Sequence, residues 1–221
     1  MVDSNYREEL KQYIPFWDKL SSNEQEFFMN NVLDLKYESG TTLHGGDDDC
    51  LGLILIRNGT IRTYMLSNEG KEITLFRLNE GEVCVLSAAC ILDSVTFDVN
   101  IDAETDCEIF LLGSTAFAKL ASSNIYVENF AHKIATERFS DVMWAFEQIL
   151  FMSFDKRLAT FLFDEYIKIK DKDNVIKLTH EQVAKYIGSA REVVTRMLHY
   201  FANEGIVEVS RGGIKILMSK N

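Results

Sequence analysis

Arg191, Glu192 and Arg196 are the side chains in this chain best suited to chemistry at a surface. A guanidinium is a planar fork of donors that matches the O6 and N7 acceptors of guanine, and a carboxylate accepts from the amino group of cytosine. To act on one target, the three must project from one side of a rigid element. Val193, Val194, Met197, Leu198 and Phe201 recur among them at helical spacing, which predicts a helix with these five on its buried side. Arg191, Thr195, Arg196, His199 and Tyr200 are left for the exposed side.

The flanking residues are of the kinds that would hold such a helix in place. Thr179 precedes a helical pattern and Gln182 follows it by three, the signature of a capping box. Val183, Ala184 and Ile187 share one face, and Gly188 closes the helix. Ser189, with Glu192 three residues on, repeats the capping signal, so the second helix is expected to open at Ser189. Asn203-Glu204-Gly205 stops it, Ile206 to Val209 alternates like a strand, Arg211-Gly212-Gly213 turns, and Ile214 to Leu217 returns. Helix, turn, helix and hairpin wing is a recurring module for reading duplex DNA. The residues expected at DNA are Thr179, Ser189, Arg191, Glu192, Thr195, Arg196 and Arg211.

Spacing alone leaves a plainer reading open, in which the module is a packing unit, the arginines are solvated and Glu192 only caps its helix. Charge favours the first reading. Residues 151–221 carry 12 Lys and Arg against 9 Asp and Glu, a balance of +3, whereas residues 1–150 carry 11 against 25. A basic end on an acidic body suits nucleic-acid contact confined to that end. The surplus of +3 is small, so a single copy would bind weakly.

The segment from Leu178 to Gly213 resembles the DNA-binding domain of the Crp/Fnr family of bacterial transcription regulators. Arg191, Glu192 and Arg196 match that family's R-E-x-x-x-R recognition pattern, and Glu192, Thr195 and Arg196 approach the E-x-x-S-R pattern of another branch. The resemblance implies base contacts by these residues, a palindromic double-stranded operator, a homodimer and RNA polymerase as a partner. It implies an α+β architecture: an N-terminal β-roll sensor (a double-stranded β-helix, cupin-like) over 1–123, a dimerisation helix and hinge over 124–152, and a winged helix-turn-helix over 153–221.

The first half reads independently as strand-rich. Ser21 to Glu24 caps a helix carrying Phe27, Phe28, Val32 and Leu33, and short apolar runs follow, broken at Gly40, Gly46, Gly59, Gly70 and Gly81. The resemblance places the turns of a β-roll at these glycines. Asn58-Gly59 between two such runs predicts a hairpin. Leu51 to Ile56 is almost continuously apolar, as a strand buried on both faces would be, and Thr96 to Leu112 holds two more strands.

Cyclic-nucleotide binders of this family hold the ribose with a Gly-Glu pair and the phosphate with Arg followed by Ser or Thr. Here Leu86 stands at the Glu position and Thr96-Phe97 replaces Arg-Ser, with no arginine between Arg77 and Arg138. An enclosed anion without a charge partner is not compensated for desolvation. The usual mode of cyclic AMP binding is therefore not expected. The candidate effector pocket is Val83, Cys84, Val85, Leu86, Ser87, Thr96 and Phe97, extended by Ala88, Ala89, Ile91 and Leu92. Its occupant is left open between a small apolar ligand, haem held through His44, His132 or a cysteine, and none. Cys84 and Cys90 are a candidate redox pair, against the plainer reading of small buried thiols.

Asn124 to about Phe151 predicts a long helix. Ala135, Phe139, Val142, Phe146 and Ile149 fall at alternating spacings of four and three, the stripe of a coiled-coil seam, and are the expected dimer interface. Met152 to Asp155 follows as the expected hinge. A charged N-terminus without an apolar core, and no apolar run near a membrane's width, lead to an expectation of a cytoplasmic protein with no membrane partner. No Ser/His/Asp order, metal-spaced His/Cys set or P-loop is found, so neither an enzyme nor a metal site is expected.

Overall fold

The structure, a computed structural model, describes residues 6–45, 51–85, 99–169 and 174–217. Cys50, Leu86, Ser87, Cys90, Thr96 and Phe97, with Gly46, Ala88, Ala89, Ile91 and Leu92, lie outside these. The chain divides into two compact units: Met1–Met65 with Leu75–Met143, and Leu66–Thr74 with Trp144–Asn221.

The first unit begins with α1 (Tyr6–Tyr13) and α2 (Ser22–Asn31). The Ser21 hydroxyl accepts from the Glu24 N–H while the Glu24 carboxylate accepts from the Ser21 N–H, the reciprocal cap expected from the sequence. The helix is shorter than its apolar residues suggest, because Val32 and Leu33 open a strand instead. That strand is β1 (Val32–Tyr37), followed by β2 (Thr42–His44), β3 (Gly52–Asn58), β4 (Thr60–Leu66), β5 (Glu72–Asn79), β6 (Val83–Cys84), β7 (Asn100–Ala103) and β8 (Cys107–Gly113). β1 pairs with β8, β2 with β7, β3 with β6 and β4 with β5. This nested order folds a chain of strands back on itself into a rolled pair of sheets, β1-β8-β3-β6 and β2-β7-β4-β5.

β3 explains why its sequence is apolar throughout. Leu53 and Leu55 face a core shared with Leu10, Trp17 and Phe28 of the helical layer and with Phe117 and Leu120 of α3 (Ser114–Ser123). Ile54 and Ile56 face the roll interior with Ile61, Leu78, Ile101 and Ile109. Neither face of the strand meets water, so no alternation survives. β6 divides in the same way: Val83 belongs to the helical side and Cys84 to the interior.

The expectation at Asn58-Gly59 needs correction. β3 and β4 do not pair; they belong to opposite sheets, and Gly59 is the corner between them. Gly59 has φ +89°, where an added Cβ would run into the Asp106 carbonyl oxygen and lie 2.9 Å from the Cys107 sulfur. A glycine that enables a hairpin equally enables a sheet-to-sheet corner, and the close Asp106 backbone requires it here. Gly40 has a similar φ of +85° but open space around it. Gly59→Ala is therefore expected to destabilise the sheet domain by about 1–3 kcal/mol, and Gly40→Ala by less, in urea unfolding followed by circular dichroism. Equal losses at both positions would contradict the close-approach explanation.

Candidate nucleic-acid interface

The C-terminal unit contains α5 (Phe154–Lys168), β9 (Val175–Ile176), α6 (His180–Ile187), α7 (Arg191–Asn203), β10 (Val207–Ser210) and β11 (Gly213–Ile216). α6 begins at a two-way cap: the Thr179 hydroxyl accepts from the Gln182 backbone N–H at 3.1 Å, and the Gln182 side-chain Oε1 accepts from the Thr179 backbone N–H at 2.8 Å. It ends at Gly188, whose φ of +62° reverses the chain into α7. Val183, Ala184 and Ile187 of α6 meet Val194, Leu198 and Phe201 of α7, with Leu158, Leu162, Ile176, Val207 and Ile214 completing the core. Burying side chains of this size contributes about 1.5–3 kcal/mol each, so the apolar side of α7 fixes its rotation.

That rotation leaves Arg191, Glu192, Arg196, His199 and Tyr200 exposed on the opposite side. Arg191, Arg196 and Arg211 form no ion pair among the described residues. Three guanidiniums at a surface with no internal carboxylate partner remain available to an external anion or base edge. An open cleft of about 560 Å³ lies beside the start of α7, lined by Thr179, His180, Glu181, Arg191 and Arg211 with Lys177. The structure thus brings Thr179, Arg191 and Arg211 to one cleft, while Glu192 and Arg196 lie along the exposed side of α7. The wing supplies Arg211 at the turn between β10 and β11, whose register pairs Ser210 with Gly213.

Ser189 is a correction. It does not open α7: the residue before the helix is Ala190, and no side chain caps it. The Ser189 N–H donates to the Ala184 carbonyl at 2.9 Å, so Ser189 still completes the end of α6. Glu192 accordingly forms no capping box. Lys177 and His180 were not found from spacing. Lys177 lies beside β9, and His180 meets Thr195 across the two helices, with Nδ1 2.8 Å from the Thr195 hydroxyl oxygen. Burial pushes the His180 pKa below its ordinary value, and the positive charges of His199 and Arg191 push in the same direction.

α4 (Ile125–Phe151) carries apolar residues on two sides. Val127, Ala131 and Ile134 pack in the helical core and Val142 in the roll interior, and Ala145 is buried as well. The exposed side runs Phe139, Met143, Phe146 and Leu150, again at spacings of four, three and four. Of the expected stripe, Phe139 and Phe146 lie on this exposed seam. Val142 is corrected to the core of its own unit, and Ala135 and Ile149 are half-buried. A helix apolar around much of its circumference offers several stripes of that spacing, and only the neighbouring sheet decides among them.

Of the candidate effector and redox residues that are described, Val83, Cys84 and Val85 are all buried. Cys107 is buried too, and its thiol donates to the Thr105 and Thr60 carbonyls at 3.0 and 3.2 Å. Burial pushes the Cys107 pKa up, which disfavours a reactive thiolate. His44 is buried on β2 and His132 is exposed on α4. No cluster of three His, Cys, Asp or Glu side chains that could hold a metal occurs among the described residues.

Comparison with known proteins assigns these two units. Residues 34–124 match the cyclic nucleotide-binding domain family, and residues 156–219 match the Crp-like helix-turn-helix domain family. A solved structure from Eubacterium rectale ATCC 33656, assigned to the Crp/Fnr family of transcriptional regulators, is 42% identical with a TM-score of 0.89, covering 95% of this chain and 96% of that one. The chain belongs to the Crp/Fnr family. Among curated relatives, the fumarate and nitrate reduction regulatory protein of Yersinia pestis is 25% identical over 208 residues, 89% of this chain and 79% of that protein. The cyclic AMP receptor protein of Thermus thermophilus is 22% identical over 202 residues, 91% of this chain and 92% of that protein. The Crp/Fnr assignment makes the C-terminal unit a helix-turn-helix DNA-binding domain and the rolled sheets a cyclic-nucleotide-binding-type domain. No helix among the described residues is long and apolar enough to cross a membrane.

Removal of the α6 cap separates positioning from contact. Thr179→Ala is expected to cost about 1 kcal/mol of stability in urea unfolding, and Ser189→Ala less than about 0.5 kcal/mol. A larger loss at Ser189 would reinstate it as a cap.

Proposed function

We propose that this Crp/Fnr protein is a dimeric, sequence-specific DNA-binding regulator in which α7 reads base edges in the major groove. The observation that carries the reading is the exposure of Arg191, Glu192 and Arg196 along one side of a helix whose other side is locked into the core. Arg191 and Arg196 are suited to guanine and Glu192 to cytosine. Thr179, Arg211 and Lys177 are placed for phosphates, which set register without reading sequence. The functional division proposed is 1–123 for the sensor, 124–152 for the helix and hinge, and 153–221 for the reader, whereas the compact units divide within the long helix, after Met143.

Two copies pair along α4 through Phe139, Met143, Phe146 and Leu150. Large apolar side chains in a continuous seam are the kind of surface that a second copy covers. Pairing joins two weak DNA contacts into one stronger one and matches a two-fold operator. RNA polymerase is the partner such a regulator would address. An effector in the roll shifts the pairing geometry and hence the DNA contact, a coupling typically of about 1–3 kcal/mol. Leu86 and Thr96-Phe97 in place of the cyclic-nucleotide cassette argue against cyclic AMP as that effector. A second reading, a regulator without an effector, draws on the same substitutions; isothermal calorimetry with cyclic AMP and cyclic GMP separates both readings from a cyclic-nucleotide switch.

Arg196→Ala is expected to cost about 1–3 kcal/mol at the base it contacts and to relax discrimination there, in fluorescence-anisotropy titrations of duplexes varied base by base. Unchanged discrimination would remove Arg196 from the readers. Leu150→Glu is expected to convert the dimer to a monomer in sedimentation equilibrium with the fold intact, whereas Val142→Ala should lower stability without changing the oligomeric state. A monomeric wild-type protein would refute the seam.

A further inference from the structure

His180 stands at the first position of α6, where it has no role in the cap formed by Thr179 and Gln182. Its ring reaches across to α7, and Nδ1 lies 2.8 Å from the Thr195 hydroxyl oxygen. Thr195 lies one turn beyond Arg191 and directly before Arg196, half-buried among the exposed recognition residues. The hydroxyl therefore belongs at once to a contact between two helices and to the surface offered to DNA.

We infer that His180 is a specificity-determining residue: its protonation state sets whether the Thr195 hydroxyl is committed to the imidazole or free to donate to a base. This rests on the proposal that α7 reads the major groove. A neutral imidazole with its proton on Nε2 accepts at Nδ1, and the Thr195 O–H donates to it. Thr195 then shows DNA only lone pairs and a methyl group, a surface suited to a donor or to the methyl of thymine. An imidazolium carries a proton on Nδ1 and donates to the Thr195 oxygen instead. The hydroxyl proton is released and can be donated to a purine N7 or a thymine O4. One proton thus reverses the hydrogen bond and changes what the recognition surface offers.

The surroundings determine when that proton is taken up. In the free protein, His199 and Arg191 of α7 act on the ring, and Lys177, Arg211 and the Glu181 carboxylate line the same cleft. Burial first, then His199 and Arg191, favour the neutral ring, which in its Nε2–H form commits the hydroxyl. The sign for folding follows: with its pKa lowered in the folded state, His180 contributes stability that is present above its ordinary pKa and is lost as pH falls from there through the lowered folded-state value. DNA reverses the electrostatics. Phosphates drawn to Arg211 and Lys177 would bring negative charge into the cleft that the ring lines, so complex formation draws a proton onto His180. Binding and proton uptake are then linked, and affinity rises as pH falls through the interval between the free and bound pKa values.

The test uses the full-length protein and the duplex it prefers, found by selection at pH 7.5, with every single-base variant of one half-site. Dissociation constants are measured from pH 5.5 to 8.0 at fixed salt. For the wild type, the expected result is affinity that tightens toward low pH, by up to about tenfold per pH unit for each proton taken up and so about a hundredfold for a dimer filling both half-sites, and a changed preference at one position of the half-site. His180→Gln keeps a polar side chain without a titration and should flatten the profile. Thr195→Val should keep proton uptake but lose the change in preference, and Thr195→Ser should keep both. His199→Gln should keep the pH dependence with its midpoint moved to higher pH, because a group that lowers the His180 pKa is removed. A His180→Gln protein with the wild-type pH profile, or a wild-type preference constant across the range, overturns the inference while leaving α7 as the reader. A protein with no preferred duplex at any pH overturns the reading of α7 itself.

Discussion

The rotation of α7 about its own axis is the constraint on which the rest of this molecule depends. Val194, Leu198 and Phe201 are inserted into a core built from α5, α6, β9 and the wing. A turn of the helix by one residue in one sense would carry Thr195 and His199 toward that core and move Val194 and Leu198 toward water, at a cost of several kcal/mol. The residues proposed to read DNA are therefore held by the side of the helix they do not occupy. No partner within the domain is needed to aim Arg191 or Arg196, and none is present among the described residues. Their free donors result from an apolar core that fixes the backbone from behind.

The same division of labour recurs in the first unit. β3 is buried on both faces, so the β1-β8-β3-β6 sheet is sandwiched between a helical layer and the roll interior. α4 contributes to both cores: Val127, Ala131 and Ile134 to one and Val142 to the other. Its remaining apolar side chains are those that a second copy could cover. A helix whose inner side is anchored in a sheet domain and whose outer side pairs with a copy is suited to convert a change in the sheet into a change in pairing geometry. The bound state of the roll and the spacing of two recognition helices would then be linked through that helix.

The parts of this account legible in the sequence are those governed by neighbours in the chain. The Thr179 and Gln182 cap, the left-handed Gly188 and the apolar back of α7 depend on spacings of three and four, and the structure has them where the sequence puts them. The double burial of β3 was equally visible in its unbroken apolar run. What escaped depends on contacts between distant segments. Asn58-Gly59 looks like a hairpin from either side, and only the Asp106 backbone pressed against Gly59 makes it a corner between sheets. Ser189 has the composition of a helix cap, but its N–H is already used by the Ala184 carbonyl of the preceding helix. Val142 fits a coiled-coil seam by spacing and is taken by its own core instead. His180 carries no local signal, because its partner is fifteen residues away on another helix.

The central claim is that paired copies of α7 read nucleotide sequence. Its most direct test is selection of bound duplexes from a fully randomised library by the purified wild-type protein, with and without cell extract as an effector source. The account predicts enrichment of a two-fold symmetric motif whose half-site centres lie about one helical turn, roughly 34 Å, apart. A bound pool with the same base composition at every position as the starting library would contradict it.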